Sequence, residues 1–324
     1  MLHRVPQPGG PEVPVGLSNT ELFVSKPDNI ACLIDLLSLT DFAARFATVQ
    51  LLTVLLTNKP QALQDGVMNY PAGIPRLMDT MLDERDDIRD EALLLLVQLT
   101  RFSVEIQKAV VFDGAFDRIF EIIRGTFASS TDGGVIVGDC LQLALNLLRD
   151  NISNQNYFRE NEDFKKLAAA IKLPMVQGAN AESAPALVQN VGLLLEVASA
   201  LVSGPPSKDH SMNQLRFAGQ GLLPAVLDVA FSTTQPVGLR VAALKCVGSA
   251  IVNSEEGCEE LSKYLGGSAA AVEGGGLPKS TVQFVVPEGH IPGKSLTLQV
   301  RSPAEGGNHK QGRNAFLFCA APAE

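Results

Sequence analysis

Apolar residues recur along the chain at positions that predict amphipathic helices. Beginning at Ile30, apolar side chains fall at i, i+3, i+4 and i+7, which places them on one face of a helix. Similar copies begin at four further anchor residues: Ile74, Phe116, Phe164 and Leu223. Successive anchors are 44, 42, 48 and 59 residues apart. A period of about 40 to 47 residues is typical of a helical solenoid.

Polar residues keep the same register as the anchors. An acidic residue follows the anchor by five positions in four of the five copies: Asp35, Asp79, Glu121 and Asp228. We expect this acid to face solvent or a neighbouring repeat. A second, more apolar helical stretch follows each anchor helix, and in three copies it carries an arginine: Arg45, Arg89 and Arg240. Helices that are apolar on nearly every side predict an inner, fully buried layer.

These patterns predict an all-α fold, an armadillo/HEAT-like right-handed α-solenoid of about five repeats with a short C-terminal β-hairpin tail. Prolines such as Pro60 and Pro174 are predicted to separate helices, and loops are predicted at 125–134 and 177–184. The predicted domains are a flexible N-terminal segment at 1–26, the solenoid at 27–265, a Gly-rich linker at 266–279, and a β-hairpin with a disordered tail at 280–324.

Composition narrows the functional classes. The chain has 324 residues, of which 46% are hydrophobic, so its body can bury a large core. A net charge of −9 argues against a nucleic-acid partner, because phosphate backbones are bound by clustered Lys and Arg. The absence of Trp argues against a nuclear-import receptor, which grips peptides with Trp and Asn ladders. No apolar segment reaches the roughly 20 residues that span a bilayer.

The side chains that carry catalysis or bind metals form no recognisable motif. Five cysteines are widely spaced without a C-x-x-C pair, so neither a disulfide framework nor a zinc site is predicted. No phosphate-binding loop or hydrolase motif is present, and the four histidines lie in predicted loops and tails. We therefore expect no enzyme activity, no cofactor and no metal.

Two polar clusters are candidates for partner binding. The acidic turn near residues 83–91 carries Asp83, Glu84, Asp86 and Asp87, and it could equally be a solvated turn whose acids favour the start of the next helix. The second cluster is Asn151, Asn154, Gln155 and Asn156. It could form a recognition edge, or it could cap the backbone between two helices.

Several strings of the sequence are more specific than the repeat period. They are TVQLLTVLL at 48–56, GIPRLMDTMLDERDDIRDEALLLLVQLTR at 73–101, IQKAVVFDGAFDRIFEII at 106–123, and DGGVIVGDCLQLALNLLRDNISNQNYFRE at 132–160. The chain resembles the globular head of the Uso-type general vesicular transport factors, closely to about residue 160 and more loosely to about 265. This resemblance covers roughly three quarters of the chain.

The resemblance implies that 27–265 is an armadillo-like vesicle-tethering head domain without a catalytic centre. It implies a cytoplasmic protein, peripheral on Golgi and transport-vesicle membranes, that acts in transport from the endoplasmic reticulum with a Rab-type small GTPase, SNARE proteins and golgins. The matching strings add Asp132, Gly133, Gly134 and Asp139 to the candidate partner-binding residues.

The sequence also departs from that family. Its members carry further N-terminal repeats, a long dimerising coiled coil and an acidic tail, whereas no sustained apolar heptads follow Leu265 here. A homodimer is left open, but dimerisation through a coiled coil is not expected. The alternative is a generic armadillo-type scaffold or adaptor without tethering activity.

Overall fold

The structure is a computed structural model that describes residues 15–129, 133–176, 185–232 and 234–264, and the backbone of three short strands beyond them. Sixteen α-helices lie within these residues: α1 (Val15–Val24), α2 (Pro27–Leu36), α3 (Phe42–Asn58), α4 (Pro60–Asn69), α5 (Gly73–Thr80), α6 (Asp86–Leu99), α7 (Val104–Phe112), α8 (Ala115–Ser129), α9 (Gly134–Leu148), α10 (Ile152–Glu160), α11 (Asp163–Val176), α12 (Pro185–Val202), α13 (Lys208–Gly219), α14 (Leu222–Phe231), α15 (Val237–Ile251) and α16 (Glu255–Tyr264). The predicted all-helical body is therefore observed.

The strands are β1 (Thr281–Val285), β2 (Ser295–Gln299) and β3 (Leu317–Phe318). β1 pairs antiparallel with β2, with Thr281 opposite Gln299, and β2 pairs antiparallel with β3. The predicted turn and the Gly-rich linker lie outside the described residues. The C-terminal hairpin tail stays a prediction.

Along the chain, α1 to α15 follow one another in sets of three, with a third helix of 14 to 18 residues in each set. The five anchors lie in the second helices, and all five are at most 7% exposed. Each anchor therefore belongs to the core, as its spacing predicts. Two of the acids that follow an anchor by five positions contact a neighbouring repeat, as expected. The hydroxyl of Tyr70 donates to Asp35 at 2.7 Å, and that of Tyr264 donates to Asp228 at 2.6 Å.

Several helix boundaries differ from the prediction. Pro60 separates α3 from α4, as expected, and α4 begins at it, because proline is well tolerated at the first position of a helix, where the amide has no partner within the helix. Pro174 lies inside the last turns of α11, and α8 continues to Ser129, within the loop predicted at 125–134. α1 lies within the segment predicted to be flexible.

The chain divides into two compact units, residues 1–115 and 116–324. In the first unit α3 packs along α6, and α2 packs on α4 and α5. A Cβ atom on Gly66 of α4 would lie 2.3 Å from Cδ1 of Ile30 on α2, so glycine lets these two helices approach closely.

In the second unit the long helices pack in succession, α9 on α12 and α12 on α15, while α11 packs on α14. Phe158 of α10 lies at the centre of an aromatic cluster, edge-on to Phe116 at 4.9 Å and to Phe164 at 5.4 Å between ring centroids. Among the described residues, only α12 is long and apolar enough to cross a membrane. It is half buried between two neighbours, as core helices of helical proteins are.

A polar side chain lies nine or ten residues before each anchor, on the first helix of each set. These residues are Thr20, Gln64, Gln107, the pair Asn154 and Gln155, and the pair Asn213 and Gln214. In the first unit, Gln64 Nε2 donates to the Leu99 carbonyl at 3.0 Å and Gln107 Nε2 donates to the Thr100 carbonyl at 2.8 Å. Both carbonyls lie at the C-terminal end of α6, where they have no partner within the helix.

The second unit repeats this arrangement as an Asn-Gln pair. Asn154 donates to the Leu147 carbonyl of the preceding long helix, and Gln155 donates to the Ala200 carbonyl of the following one. Asn213 donates to the Leu201 carbonyl at 3.0 Å, and Gln214 donates to the Ser249 and Val252 carbonyls at 2.9 Å. In this unit, α10 and α13 are thus each bonded to the long helix before it and the long helix after it.

Candidate protein-binding site

The predicted acidic turn connects α5 to α6 in the first unit, and its first acid is internal. The Asp83 side chain is only 4% exposed, and it pairs with the guanidinium groups of Arg45 and Arg85. The bond from Arg85 holds the pKa of Asp83 below its ordinary value, with help from Arg45, although burial opposes this. Asp83 therefore joins the start of α6 to α3 and has little surface to offer a partner.

The other acids of this turn face solvent. Asp86 and Asp87 stand at the N-terminal end of α6, where the helix dipole favours negative charge, and Glu84 precedes them. Arg89 donates to Asp86 at 2.6 Å and lies 3.6 Å from Asp90. Partial burial raises the pKa of Asp90, and the charges of Asp86 and Asp87 add to the rise against the effect of Arg89. Arg89 is thus the partner of both Asp86 and Asp90, and the carboxylates at the start of α6 outnumber it.

Beside this acidic cluster, α3 presents a solvent-facing stripe without charge. Its exposed positions are Ala43, Ala47, Gln50, Leu51, Val54 and Thr57. The side chains of Leu51 and Val54 are 38% and 52% exposed. The prediction that the inner helices are fully buried is wrong for α3, because one of its sides has no neighbour in the described part of the chain.

Helices α3 and α6 begin at the same edge of the first unit. The Arg85 guanidinium donates to the Thr40 carbonyl at 3.4 Å and lies 5.6 Å from the centre of the Phe42 ring, so the turn before α6 touches the start of α3. The acids of α6 therefore lie beside the first half of α3. Leu94 is 38% exposed and follows Asp87 by about two turns of α6. We call this surface the α3–α6 face.

The second predicted stretch, in the second unit, begins α9. Asp132 lies outside the described residues. Gly133 and Gly134 have φ angles of +74° and +57°, which favour glycine, and the Gly134 carbonyl accepts from Asn190 at 3.0 Å. These glycines start α9 and bond it to α12. Asp139 is half-exposed one turn further on.

The polar cluster after α9 is mostly internal, as the capping alternative describes. Asn151 and Asn154 are 3% and 2% exposed, and the Asn151 side chain accepts the Asn154 amide at 3.2 Å to cap α10. Gln155 is half-buried with both ends of its amide bonded. Asn156 is half-buried, and its Oδ1 is buried without a hydrogen-bond partner among the described residues. The length of α9, roughly 20 Å, separates this cluster from Gly133.

A charged cluster that sequence reasoning missed lies between α8 and α11. Asp163 is 1% exposed, and its carboxylate accepts from Lys166 at 2.6 Å, while Lys166 also pairs with Asp117. Burial raises the pKa of Asp163 to about 6, against the opposing effect of Lys166.

Comparison with known proteins shows which family the chain belongs to. No protein-family model matches the chain. General vesicular transport factor p115 of Bos taurus is 34% identical over 253 residues, which are 78% of this chain and 25% of that protein. Golgin candidate 6 of Arabidopsis thaliana is 38% identical over 263 residues, 79% of this chain and 28% of that protein. The crystal structure of Uso1-2 superposes with a TM-score of 0.70 at 28% identity, covering 75% of this chain and 36% of that one.

The chain is a relative of the p115/Uso1 vesicular transport factors. The resemblance that the sequence strings indicated is therefore confirmed. An armadillo-repeats-only protein from Plasmodium falciparum, with a TM-score of 0.51 at 13% identity over 72% of this chain and 98% of that one, shares the fold alone. The chain spans about a quarter of the length of the p115 relatives it matches.

Proposed function

We propose that this chain supplies the head region of a vesicle-tethering factor that acts in transport from the endoplasmic reticulum to the Golgi and within the Golgi. The observation that carries the proposal is the relationship to p115/Uso1 over 78% of the chain. A helical repeat array is suited to this role, because it offers a large preformed surface to other proteins. The role is binding rather than catalysis.

The proposed partners are a Rab-type small GTPase, SNARE proteins and golgins. Through them the protein would be peripheral on Golgi and transport-vesicle membranes, and a homodimer is left open. The proposal includes the finer fold prediction, a right-handed solenoid of about five repeats. Among the candidate contact residues, the accessible ones are Glu84, Asp86 and Asp87 on the first unit, and the half-exposed Asp139 on the second.

Affinity capture from cytosol and detergent-solubilised Golgi membranes tests this function. The full chain is immobilised, bound proteins are identified by mass spectrometry, and an unrelated armadillo-repeat protein of similar net charge serves as the control bait. We expect enrichment of Rab-type GTPases or SNARE proteins on this chain over the control. Circular dichroism verifies that the bait is folded and helical.

Consistent absence of both protein classes on a folded bait would contradict tethering and favour the generic scaffold. Co-localisation of the tagged protein with Golgi markers is a second readout. A diffuse cytosolic distribution at both low and high expression levels would also count against the proposal.

A further inference from the structure

The α3–α6 face combines an exposed stripe without charge on α3 with a group of acidic residues on α6. Of the 17 residues of α3, only Arg45 is charged, and it is turned towards Asp83. The exposed stripe of this helix is therefore neutral over its whole length, about 24 Å. Contiguous apolar surface next to charged residues is characteristic of a protein-interaction site.

The acids beside the stripe carry an excess of negative charge. Asp86, Asp87, Asp90 and Glu91 lie within the first two turns of α6, where Arg89 is the single basic residue. Among the described residues, Asp87 and Glu91 form no ion pair. A ligand that covers this end of the face would have to bring positive charge to satisfy those carboxylates.

We infer that the α3–α6 face binds one amphipathic helix of a partner protein, with apolar residues in its N-terminal half and Lys or Arg in its C-terminal half. This inference rests on the proposed function, for which it names the chemistry of one partner segment. The apolar half would lie on Leu51, Val54 and Leu94, and the basic half on Asp87 and Glu91.

The direction of the bound helix follows from electrostatics. Because α3 and α6 begin at the same edge, the acids lie at one end of the face and the exposed leucines and valine at the other. Basic residues stabilise a helix at its C-terminal end, where the helix dipole is negative. A ligand that places its basic C-terminal end over the acids runs antiparallel to α3, and between about four and five turns cover the face.

A synthetic peptide provides the probe. A fluorescein-labelled helical peptide carries Leu at i, i+3, i+4 and i+7 in its first half and Lys and Arg in its second half. Two matched peptides replace either the basic residues with Glu or the leucines with Ser. Fluorescence anisotropy measures the binding of all three to the full chain at low and high salt. We expect only the basic-apolar peptide to bind, and its affinity to fall as salt rises.

Variants of the face test where the peptide binds. Leu51→Ser combined with Val54→Ser should raise Kd about tenfold, because the ligand no longer buries those side chains. Asp87→Asn combined with Glu91→Gln should raise Kd about threefold and remove most of the salt dependence. Leu51, Val54 and Asp87 are exposed and Glu91 is half-buried, so the variants should fold, and circular dichroism checks this.

Matched controls lie in the second unit. Val237 is 65% exposed, and Glu256 and Glu259 are exposed acids on α16. Val237→Ser and the pair Glu256→Gln with Glu259→Gln should leave Kd within about twofold of the wild type. If these controls weaken binding as much as the variants of the face, the face is not the site.

Three further results would overturn the inference. One is equal binding of the basic and the Glu-substituted peptides, and another is an unchanged Kd in the double variant at Leu51 and Val54. The third is self-association of the wild type, measured by sedimentation equilibrium, that this double variant abolishes, because a second copy would then cover the face. If the peptide does not bind while the chain still captures Golgi proteins, this inference alone is contradicted. Peptide binding without such capture contradicts the proposed function alone.

Discussion

Asp87 and Asp163 are both helix N-terminal carboxylates, yet burial gives them different roles. Asp87 is exposed at the start of α6 without an ion partner among the described residues, so its charge is available to a ligand. Asp163 is 1% exposed at the start of α11 and pairs with Lys166. Because burial disfavours its ionised form, the pKa of Asp163 is raised to about 6. Sequence alone does not separate the two, since each acid lies in the first turn of a helix.

Asp163 should make the stability of the second unit depend on pH. In the unfolded chain this carboxyl has a pKa of 3.8, so between about pH 4 and pH 6 the folded protein keeps a proton that the unfolded protein has lost. The free energy of unfolding must therefore fall as pH rises through this window. Relative to Asp163→Asn, the wild type should lose about 2 to 3 kcal/mol between pH 4 and pH 7.

Urea unfolding followed by circular dichroism at several pH values measures this difference. Asp117→Asn is the matched control, because it removes the exposed partner of Lys166 and keeps the buried carboxyl. Parallel pH profiles for the wild type and Asp163→Asn would show that Asp163 titrates normally.

At the scale of the element, a glycine is required by close packing in α4 but not in α8. Gly66 of α4 lies against Ile30 of α2, so there is no room for a methyl group. Gly125 lies inside α8, and apart from the neighbouring residues and backbone of its own helix no described atom lies within 4 Å of the place where its Cβ would be. Helix propensity alone predicts that alanine stabilises both helices by up to about 1 kcal/mol.

Gly66→Ala and Gly125→Ala should therefore change stability in opposite directions. We expect Gly66→Ala to destabilise the first unit by about 1 to 3 kcal/mol, because Ile30 must shift and α2 must move away from α4. Gly125→Ala should stabilise α8 by about 0.5 to 1 kcal/mol. Thermal unfolding of both variants checks the two signs. A stabilised Gly66→Ala variant would mean that the contact between α2 and α4 relaxes at little cost.

The second and third helices of each repeat were predictable, whereas the first helices were not. Anchors such as Phe164 follow the helical period because one face of the helix enters the core. The first helices α10 and α13 contain few apolar residues, since Asn and Gln bond to neighbouring helix ends in their place. One signal would have found them: the Asn-Gln pair recurs after 59 residues, the same spacing that separates Phe164 from Leu223.

The candidate site was predictable only in part. The acidic turn was apparent from its charge, and the alternative roles of capping and partner binding could be stated in advance. That Leu51 and Val54 face solvent was not predictable, because apolar residues occur on every side of α3 and the exposed side depends on which neighbours pack against it. Asp83 likewise became internal through Arg45, which lies 38 residues earlier in the chain.

At the scale of the whole molecule, the two compact units should respond separately to local damage. In repeat proteins each element contacts only its neighbours, so stability is a sum of local contributions. Asn213 is central to one such contribution, since it donates to Leu201 and Gln155 and accepts from Arg159, which is itself 7% exposed.

Asn213→Ala should loosen the second unit and leave the first unchanged. It removes three hydrogen bonds and leaves Arg159 with an unpaired donor, a loss of about 2 to 4 kcal/mol. Hydrogen exchange measured by mass spectrometry should show faster amide exchange in α10, α12 and α13, with α3 to α5 as in the wild type. Asn161→Ala, at an exposed position, is the control. Equally faster exchange in both units would show that they unfold together.

The Asn-Gln pairs also bear on how such an array can lengthen or shorten. Most of their bonds go to main-chain carbonyls, which every residue type possesses, so these bonds make no demand on the sequence of the long helices that accept them. A duplicated period would find acceptors on whatever long helix it was inserted beside. Gene duplication could therefore add or delete a repeat in one step, without matching substitutions on the neighbouring helices.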